Sequence, residues 1–274
     1  MAYMMVRTWN LRLLKVKILF ILLFISTSLY SQFVFLDSVK VNNPVYLAND
    51  RSGNVYLGDK LGNVFKYDQD LKLINEYSPN KKGSIAVLEP WNPLKVFVSY
   101  SDLQEYQFLD RFLVSANRFK LNGLSSFIGL SAPSLDNNLW LVDFSSFSLK
   151  KYNMTFNQVD IERPFDLLLD PKKFDITHIR EYQNLVFISD SNSGILVFDN
   201  MGNYLYKIEA NGVEYFSFVD GNILYVENEA LVKLNLYSNE KIVNSLPKNV
   251  ERVVETNKFT FFLREKWLLR AQKQ

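Results

Sequence analysis

The sequence predicts an all-β protein, a six-bladed β-propeller built from four-stranded antiparallel blades. Three observations predict it. A strand-turn-strand unit recurs six times at blade-sized intervals, β-branched and aromatic residues fill these units, and the two ends of the chain carry complementary parts of one blade. A repeat containing helices would need a 3.6-residue hydrophobic period, which the units lack.

Each unit has a turn with Asn, Asp or Gly, a short β-rich run, a second turn and another β-rich run. The equivalent positions are Val55, Val96, Leu139, Leu185, Ile223 and Phe259. The intervals between them are 41, 43, 46, 38 and 36 residues, each with room for four strands of about five or six residues. In the first blade the strands are expected at 44–48, 54–58, 63–67 and 71–77. Seven blades would require an extra repeat, and a two-domain β-sandwich is the main alternative fold.

The ends of the chain predict how the ring closes. The sixth unit stops after its third strand, around residues 266–271, whereas residues 33–41 form a strand ahead of the first blade. If the last blade is closed by the N-terminal strand, all six sheets have four strands and no unpaired edge is left at the seam.

The N-terminus has the layout of a signal peptide. Four basic residues precede an apolar stretch at 18–25, and the small residues Ser28 and Ser31 follow it. The stretch is too short to span about 30 Å of hydrocarbon. We therefore predict a signal peptide at 1–31 and a mature propeller at 32–274, exported to the periplasm or the extracellular space. The alternatives are an uncleaved anchor or a buried first helix.

Composition excludes several classes of function. The chain has 31 Lys and Arg against 29 Asp and Glu, and removal of the predicted signal peptide leaves 27 against 29, a net charge of −2. Such a charge gives no electrostatic argument for nucleic-acid binding. With no cysteine in the chain, disulfides, thiol catalysis and cysteine-ligated zinc are excluded.

Two of the repeats carry a resemblance to a known superfamily. Residues 54–68 read Asn-Val-Tyr-Leu-Gly-Asp-x-x-Gly-Asn-Val-Phe-Lys-Tyr-Asp, and residues 184–199 follow the same pattern. The chain resembles six-bladed propellers of the NHL and TolB-like superfamily over residues 33–271. That resemblance implies a range of roles, from protein-binding scaffolds and ligand sensors to metal-dependent hydrolases and lyases.

Carboxylates close the second strand of several blades, and they are the candidate metal ligands. They are Asp59, Asp143, Asp190 and Glu227, with Asp102 displaced into its turn. If they converge near the central channel, they could hold Ca²⁺, which takes several oxygen ligands. The competing interpretation is structural, because an Asp before a turn commonly accepts N–H bonds from its own loop.

Other candidate site residues are few. His178 is the only histidine, so neither a transition-metal site nor a Ser-His-Asp arrangement has support, and no Gly-x-Ser-x-Gly or phosphate loop is present. Turn aromatics are candidates for protein binding: Tyr100, Phe144 and Phe147 on one face and Trp91 on the opposite face.

Together these features predict a non-enzymatic protein-binding scaffold of the cell envelope or extracellular space, a component of an envelope or secretion assembly. We expect a monomeric fold unit with a protein partner, no cofactor, and no transmembrane segment in the mature chain. The alternative is a Ca²⁺-dependent hydrolase or a small-ligand-binding propeller that uses the acidic ring at the channel.

Overall fold

The computed structural model describes residues 33–272, and the predicted signal peptide lies outside this range. These residues form six four-stranded antiparallel sheets arranged as a propeller, which confirms the predicted fold class. Residues 33–272 contain no helix with the length and hydrophobicity of a membrane span.

Within the first five blades the strands pair in chain order from the centre of the ring outward. The first blade contains β2 (Pro44–Asn49), β3 (Val55–Asp59), β4 (Val64–Tyr67) and β5 (Leu73–Tyr77). The second contains β6 (Ile85–Glu89), β7 (Val96–Tyr100), β8 (Glu105–Leu109) and β9 (Ser115–Lys120). The third contains β10 (Ile128–Pro133), β11 (Leu139–Asp143), β12 (Ser148–Asn153) and β13 (Gln158–Pro164). The fourth contains β14 (Ile176–Tyr182), β15 (Leu185–Asp190), β16 (Gly194–Asp199) and β17 (Tyr204–Ile208). The fifth contains β18 (Phe216–Val219), β19 (Asn222–Glu227), β20 (Ala230–Asn235) and β21 (Lys241–Ser245).

The sixth blade joins the two ends of the described chain. It contains β22 (Val250–Glu255), β23 (Phe259–Arg264), β24 (Trp267–Gln272) and, as its outer strand, β1 (Phe35–Lys40). β1 pairs antiparallel with β24, with Val39 opposite Leu268. The ring of Phe33, just ahead of β1, packs 4.8 Å from that of Phe262. Ring closure by the N-terminal strand is thereby confirmed.

The core is built from apolar side chains of the three inner strands of the blades, with large rings on the second strands. Fully buried rings on the second strands include those of Tyr56, Phe97, Trp140, Phe187 and Phe261. Burial of each such side chain contributes about 1.5–3 kcal/mol or more to folding. Successive side chains of a strand point to opposite faces of its sheet, so each second strand packs on both neighbouring blades.

A β-bulge recurs near the start of five innermost strands. Register shifts occur in β2, β6, β10, β14 and β22. A bulge changes the direction in which the next side chains point. The residues that follow these bulges are Tyr46, Val87, Leu130, His178 and Arg252.

Candidate functional site

The antiparallel blades give the propeller two faces with different turns. The Trp91 face carries the turns between first and second strands and between third and fourth strands. The Asp59 face carries the turns between second and third strands and the connections between blades. The sequence-predicted carboxylates lie on the Asp59 face, and Trp91 lies on the face named after it.

The four predicted metal ligands each bond to groups near their own turn. Asp59 accepts hydrogen bonds from the backbone N–H groups of Leu61 and Asn63, both at 2.8 Å. Asp190 accepts from Asn192 at 3.1 Å and from Asp175 at 2.7 Å. These are the contacts of turn-capping carboxylates.

Glu227 and Asp143 each also lie beside a lysine. Glu227 accepts from the backbone N–H of Asn211 at 3.1 Å and lies 3.7 Å from Lys241. Asp143 is fully buried and forms an ion pair with Lys150 at 2.7 Å. Burial by itself would raise the pKa of the Asp143 carboxyl, but hydrogen bonds from Lys150 and neighbouring serines hold it well below its usual range.

No three His, Asp or Glu side chains among residues 33–272 are grouped so that they could hold a metal ion. Each of the four carboxylates has hydrogen-bond or ion-pair partners of its own, and their role as Ca²⁺ ligands stays a prediction.

The structure separates the aromatic candidates of the Asp59 face. Tyr100 is fully buried, and its hydroxyl contacts the Gly62 carbonyl at 3.4 Å and the Gln107 amide at 2.8 Å. Its ring is therefore core and cannot be an exposed anchor. Phe144 and Phe147 are half-buried and pack on Phe174, with centroid distances of 5.4 and 4.9 Å.

A polar and aromatic layer crosses the central channel on the innermost strands. The bulges place Tyr46, His178 and Arg252 at equivalent positions of the first, fourth and sixth blades. In the fifth blade, Phe216 pairs with Tyr225, so Tyr215 lies at the same level. The remaining equivalents, Val87 and Leu130, are apolar. We call Tyr46, His178, Tyr215 and Arg252 the channel layer.

The channel layer is held by hydrogen bonds and stacking. The Tyr46 hydroxyl lies 3.0 Å from His178 Nδ1, and the Tyr215 hydroxyl donates to the Leu47 carbonyl. The His178 ring packs 4.7 Å from the Tyr215 ring, and the Arg252 guanidinium lies 4.6 Å from the same ring centroid. Aromatic faces attract a guanidinium, so Arg252 is fixed by stacking.

Burial determines the protonation states of this layer. It lowers the pKa of His178 well below its ordinary value, and the cations of Arg252 and Arg180 lower it further. Burial also raises the pKa of Tyr215 to about 12. At neutral pH the layer therefore contains a neutral imidazole, neutral phenols and one guanidinium.

Two residues further along the innermost strands, toward the Trp91 face, an ion pair spans the channel. Arg180 Nε lies 2.6 Å from Glu89 Oε2, and both side chains are largely buried. Burial raises the pKa of Glu89 despite the opposing effect of Arg180. The other Glu89 oxygen accepts from the backbone N–H of Trp91 at 2.9 Å, so the pair also anchors the Trp91 loop.

The Trp91 face contains a pocket of about 450 Å³ above this ion pair. Blades two, three and four line it, with Trp91, Leu135 and Tyr182 on its walls and the Glu89–Arg180 pair at its inner end. Trp91 is 43% exposed and Leu135 is 62% exposed. The combination of an apolar wall and a few fixed polar groups is typical of binding pockets.

Around this pocket, four consecutive blades expose an apolar side chain at the turn between the third and fourth strands. They are Phe112, Phe156, Met201 and Tyr237, which are 53%, 72%, 54% and 72% exposed. In each turn an Asp or Asn side chain accepts the N–H of that residue. Sequence reasoning missed this set, although an Asx residue followed by an apolar residue two or three positions later is a readable signal.

Comparisons with known proteins support the fold. No family model matches the sequence, and no curated protein matches it, so membership of the NHL and TolB-like superfamily stays a prediction. Among solved structures, virginiamycin B lyase from Staphylococcus aureus is similar, with 10% identity, 89% of this chain and 100% of that chain covered, and a TM-score of 0.63.

Two further structures show the range of proteins with this architecture. The Cps50 (Swd1) β-propeller domain of Myceliophteria thermophila has 8% identity and a TM-score of 0.65, covering 89% of this chain and all of that one. The extracellular domain of a one-component system, BT4673 from B. thetaiotaomicron, has 12% identity and a TM-score of 0.56, covering 86% of this chain and 34% of that one. At these identities the similarity shows the propeller fold alone.

Proposed function

We propose that this propeller is a non-enzymatic scaffold that binds a protein partner through its Trp91 face. The observation that carries the proposal is the set of exposed apolar side chains on that face, Trp91 and Leu135 at the pocket and the ring of turn residues around it. Exposed apolar side chains grouped on one face are typical of protein-binding surfaces, and aromatic residues such as Trp and Tyr dominate binding energies.

The scaffold is rigid where it holds these side chains. The Trp91 loop is anchored by the buried Glu89 carboxylate, and the Asx turns fix the outer residues by backbone bonds. Little conformational freedom is then lost when a partner binds, which favours affinity. A similar architecture serves as an extracellular domain in BT4673, which supports the further proposal that this chain is exported and acts in the envelope or outside the cell.

The test is affinity capture of the tagged protein from gently solubilised source cells, with the partners identified by mass spectrometry. The double variant Trp91→Ala and Leu135→Ala is compared with Leu167→Ala, a change of a 98% exposed residue on the Asp59 face. We expect Leu167→Ala to capture a stoichiometric partner and the double variant to capture at least tenfold less of it. Truncation of a side chain that the partner buries costs more than about 1.4 kcal/mol of binding free energy.

A partner that survives the double variant, or the absence of any stoichiometric partner, contradicts the proposal. Elemental analysis of the same eluate examines the alternative function. Stoichiometric Ca²⁺ on a protein without a partner would favour the metal-dependent hydrolase or ligand binder, with Asp59, Asp143, Asp190 and Glu227 as the residues to vary next.

A further inference from the structure

A second pocket lies on the Asp59 face, at the opposite mouth of the channel from the Trp91 pocket. It has a volume of about 280 Å³ and lies between the fifth and sixth blades. Its lining includes Tyr215 and Arg252 of the channel layer, the carboxylates Glu214 and Glu251, and the valines Val226 and Val250. We call it the Arg252 pocket.

Arg252 has the properties of an anion-binding group. Its guanidinium is fixed over the rings of Tyr215 and Tyr46, at 4.6 and 5.1 Å from their centroids. Across residues 33–272 it forms no hydrogen bond or ion pair with any carboxylate or carbonyl. Its five N–H donors are therefore free to bind a ligand, and the planar guanidinium suits the bidentate binding of a carboxylate.

Two carboxylates share the pocket without neutralising this cation. Glu214 and Glu251 are both exposed, and in the described part of the chain neither side chain forms an ion pair. A ligand with a negative group alone would be attracted by Arg252 and repelled by both glutamates. A ligand with one negative and one positive group satisfies both sides of the pocket.

The geometry points to a small zwitterion, an aliphatic α-amino acid, as the ligand of the Arg252 pocket. Its carboxylate binds Arg252, its ammonium group binds Glu214 and Glu251, and its side chain lies toward Val226 and Val250. The volume of the pocket admits a single amino acid. This site is independent of the proposed partner surface, which lies on the opposite face.

Binding of three related compounds by isothermal titration calorimetry at neutral pH tests the assignment. L-leucine carries both charges, N-acetyl-L-leucine keeps only the carboxylate, and L-leucinamide keeps only the ammonium group. We expect L-leucine to bind and each analogue to bind at least tenfold more weakly, since each analogue loses one of the two charged contacts.

Variants assign the contacts to residues. Arg252→Gln and the double variant Glu214→Gln and Glu251→Gln are each expected to weaken L-leucine binding at least tenfold. Arg163→Gln, which removes an exposed arginine on the outer strand β13, is the matched control and should leave it unchanged. Circular dichroism and thermal unfolding show whether each variant folds. If Arg252→Gln does not fold, the double glutamate variant still tests the assignment, because it changes only exposed side chains.

Three results would overturn the assignment. They are the absence of L-leucine binding at about 10 mM, equal binding of L-leucine and N-acetyl-L-leucine, and L-leucine binding that survives both Arg252→Gln and the double glutamate change. The second result would leave a simple carboxylate site.

Discussion

The hydroxyl of Tyr46 and the Nδ1 atom of His178 lie 3.0 Å apart, although 132 positions separate them in the chain. They belong to the first and fourth blades, which face each other across a ring of six. Their hydrogen bond therefore spans the channel and closes it at the level of the channel layer. Its dependence on protonation can be measured.

The first prediction concerns pH. Because the pKa of His178 is lowered in the folded protein, the unfolded chain binds the extra proton first as pH falls below about 6.5. The free energy of unfolding should therefore decrease with falling pH, by at most about 1.4 kcal/mol per pH unit from this residue. Urea unfolding between about pH 7.5 and 5.5 measures the slope.

The matched variant is His178→Asn, which keeps a hydrogen-bonding side chain but does not titrate. The charged groups around His178 are Arg252 and Arg180, with Glu89 beside Arg180, and the raised pKa of Glu89 contributes with the opposite sign at lower pH. The difference in slope between the two proteins isolates the histidine. Identical slopes would show that His178 does not titrate as its burial requires.

The second prediction concerns the buried ion pair. Glu89→Gln leaves the largely buried Arg180 without its counter-charge, so the free energy of unfolding should fall by about 3–5 kcal/mol. Asp170→Asn in the exposed pair with Lys173 is the control, with an expected change below about 1 kcal/mol. Equal effects in urea unfolding would mean that the channel pair is solvated.

The third prediction concerns a turn of the fourth blade. Gly194 has φ +109°, and a Cβ at this position would lie 2.5 Å from the carbonyl oxygen of Ile208. Gly194→Ala should therefore destabilise the protein by more than about 1 kcal/mol. Gly123→Ala is the control, because a Cβ there meets no atom within 4 Å. A thermal unfolding midpoint that falls equally in both variants would contradict the steric argument.

The fourth prediction distinguishes a turn cap from a metal ligand. Asp190→Asn weakens two charge-assisted hydrogen bonds, one from Asn192 in its own turn and one from the backbone N–H of Asp175, so the free energy of unfolding should fall by about 1–3 kcal/mol. Millimolar Ca²⁺ should leave the thermal unfolding midpoint of both proteins unchanged. A rise with Ca²⁺ that Asp190→Asn abolishes would instead indicate a ligand that binds the folded state.

The architecture was predictable because it rests on local patterns. Alternating β-rich runs gave the four strands of the first blade within two residues of their observed bounds, and the incomplete sixth unit predicted its pairing with the strand at Phe35–Lys40. The two-residue alternation of side chains and the turn residues determine both the strand bounds and the strand missing from the sixth unit.

The site was less predictable because it depends on contacts between distant blades. Nothing local distinguishes Tyr46 or Arg252 as a channel residue, since both owe their direction to a bulge and their neighbours to ring closure. Tyr100 illustrates the converse case. Its position at a strand end suggested exposure, but Gly62 of the preceding blade and Gln107 cover its hydroxyl.

The pairing of β1 with β24 sets the order of events during synthesis. β1 leaves the ribosome first but cannot pair until β24, the last strand, has been synthesised. Until then, the five completed blades form an open arc with an apolar flank at each end. During that interval the unpaired first strand is a template for pairing with other chains. Protection of this strand before translation ends would therefore decide how much of the nascent protein reaches the closed ring.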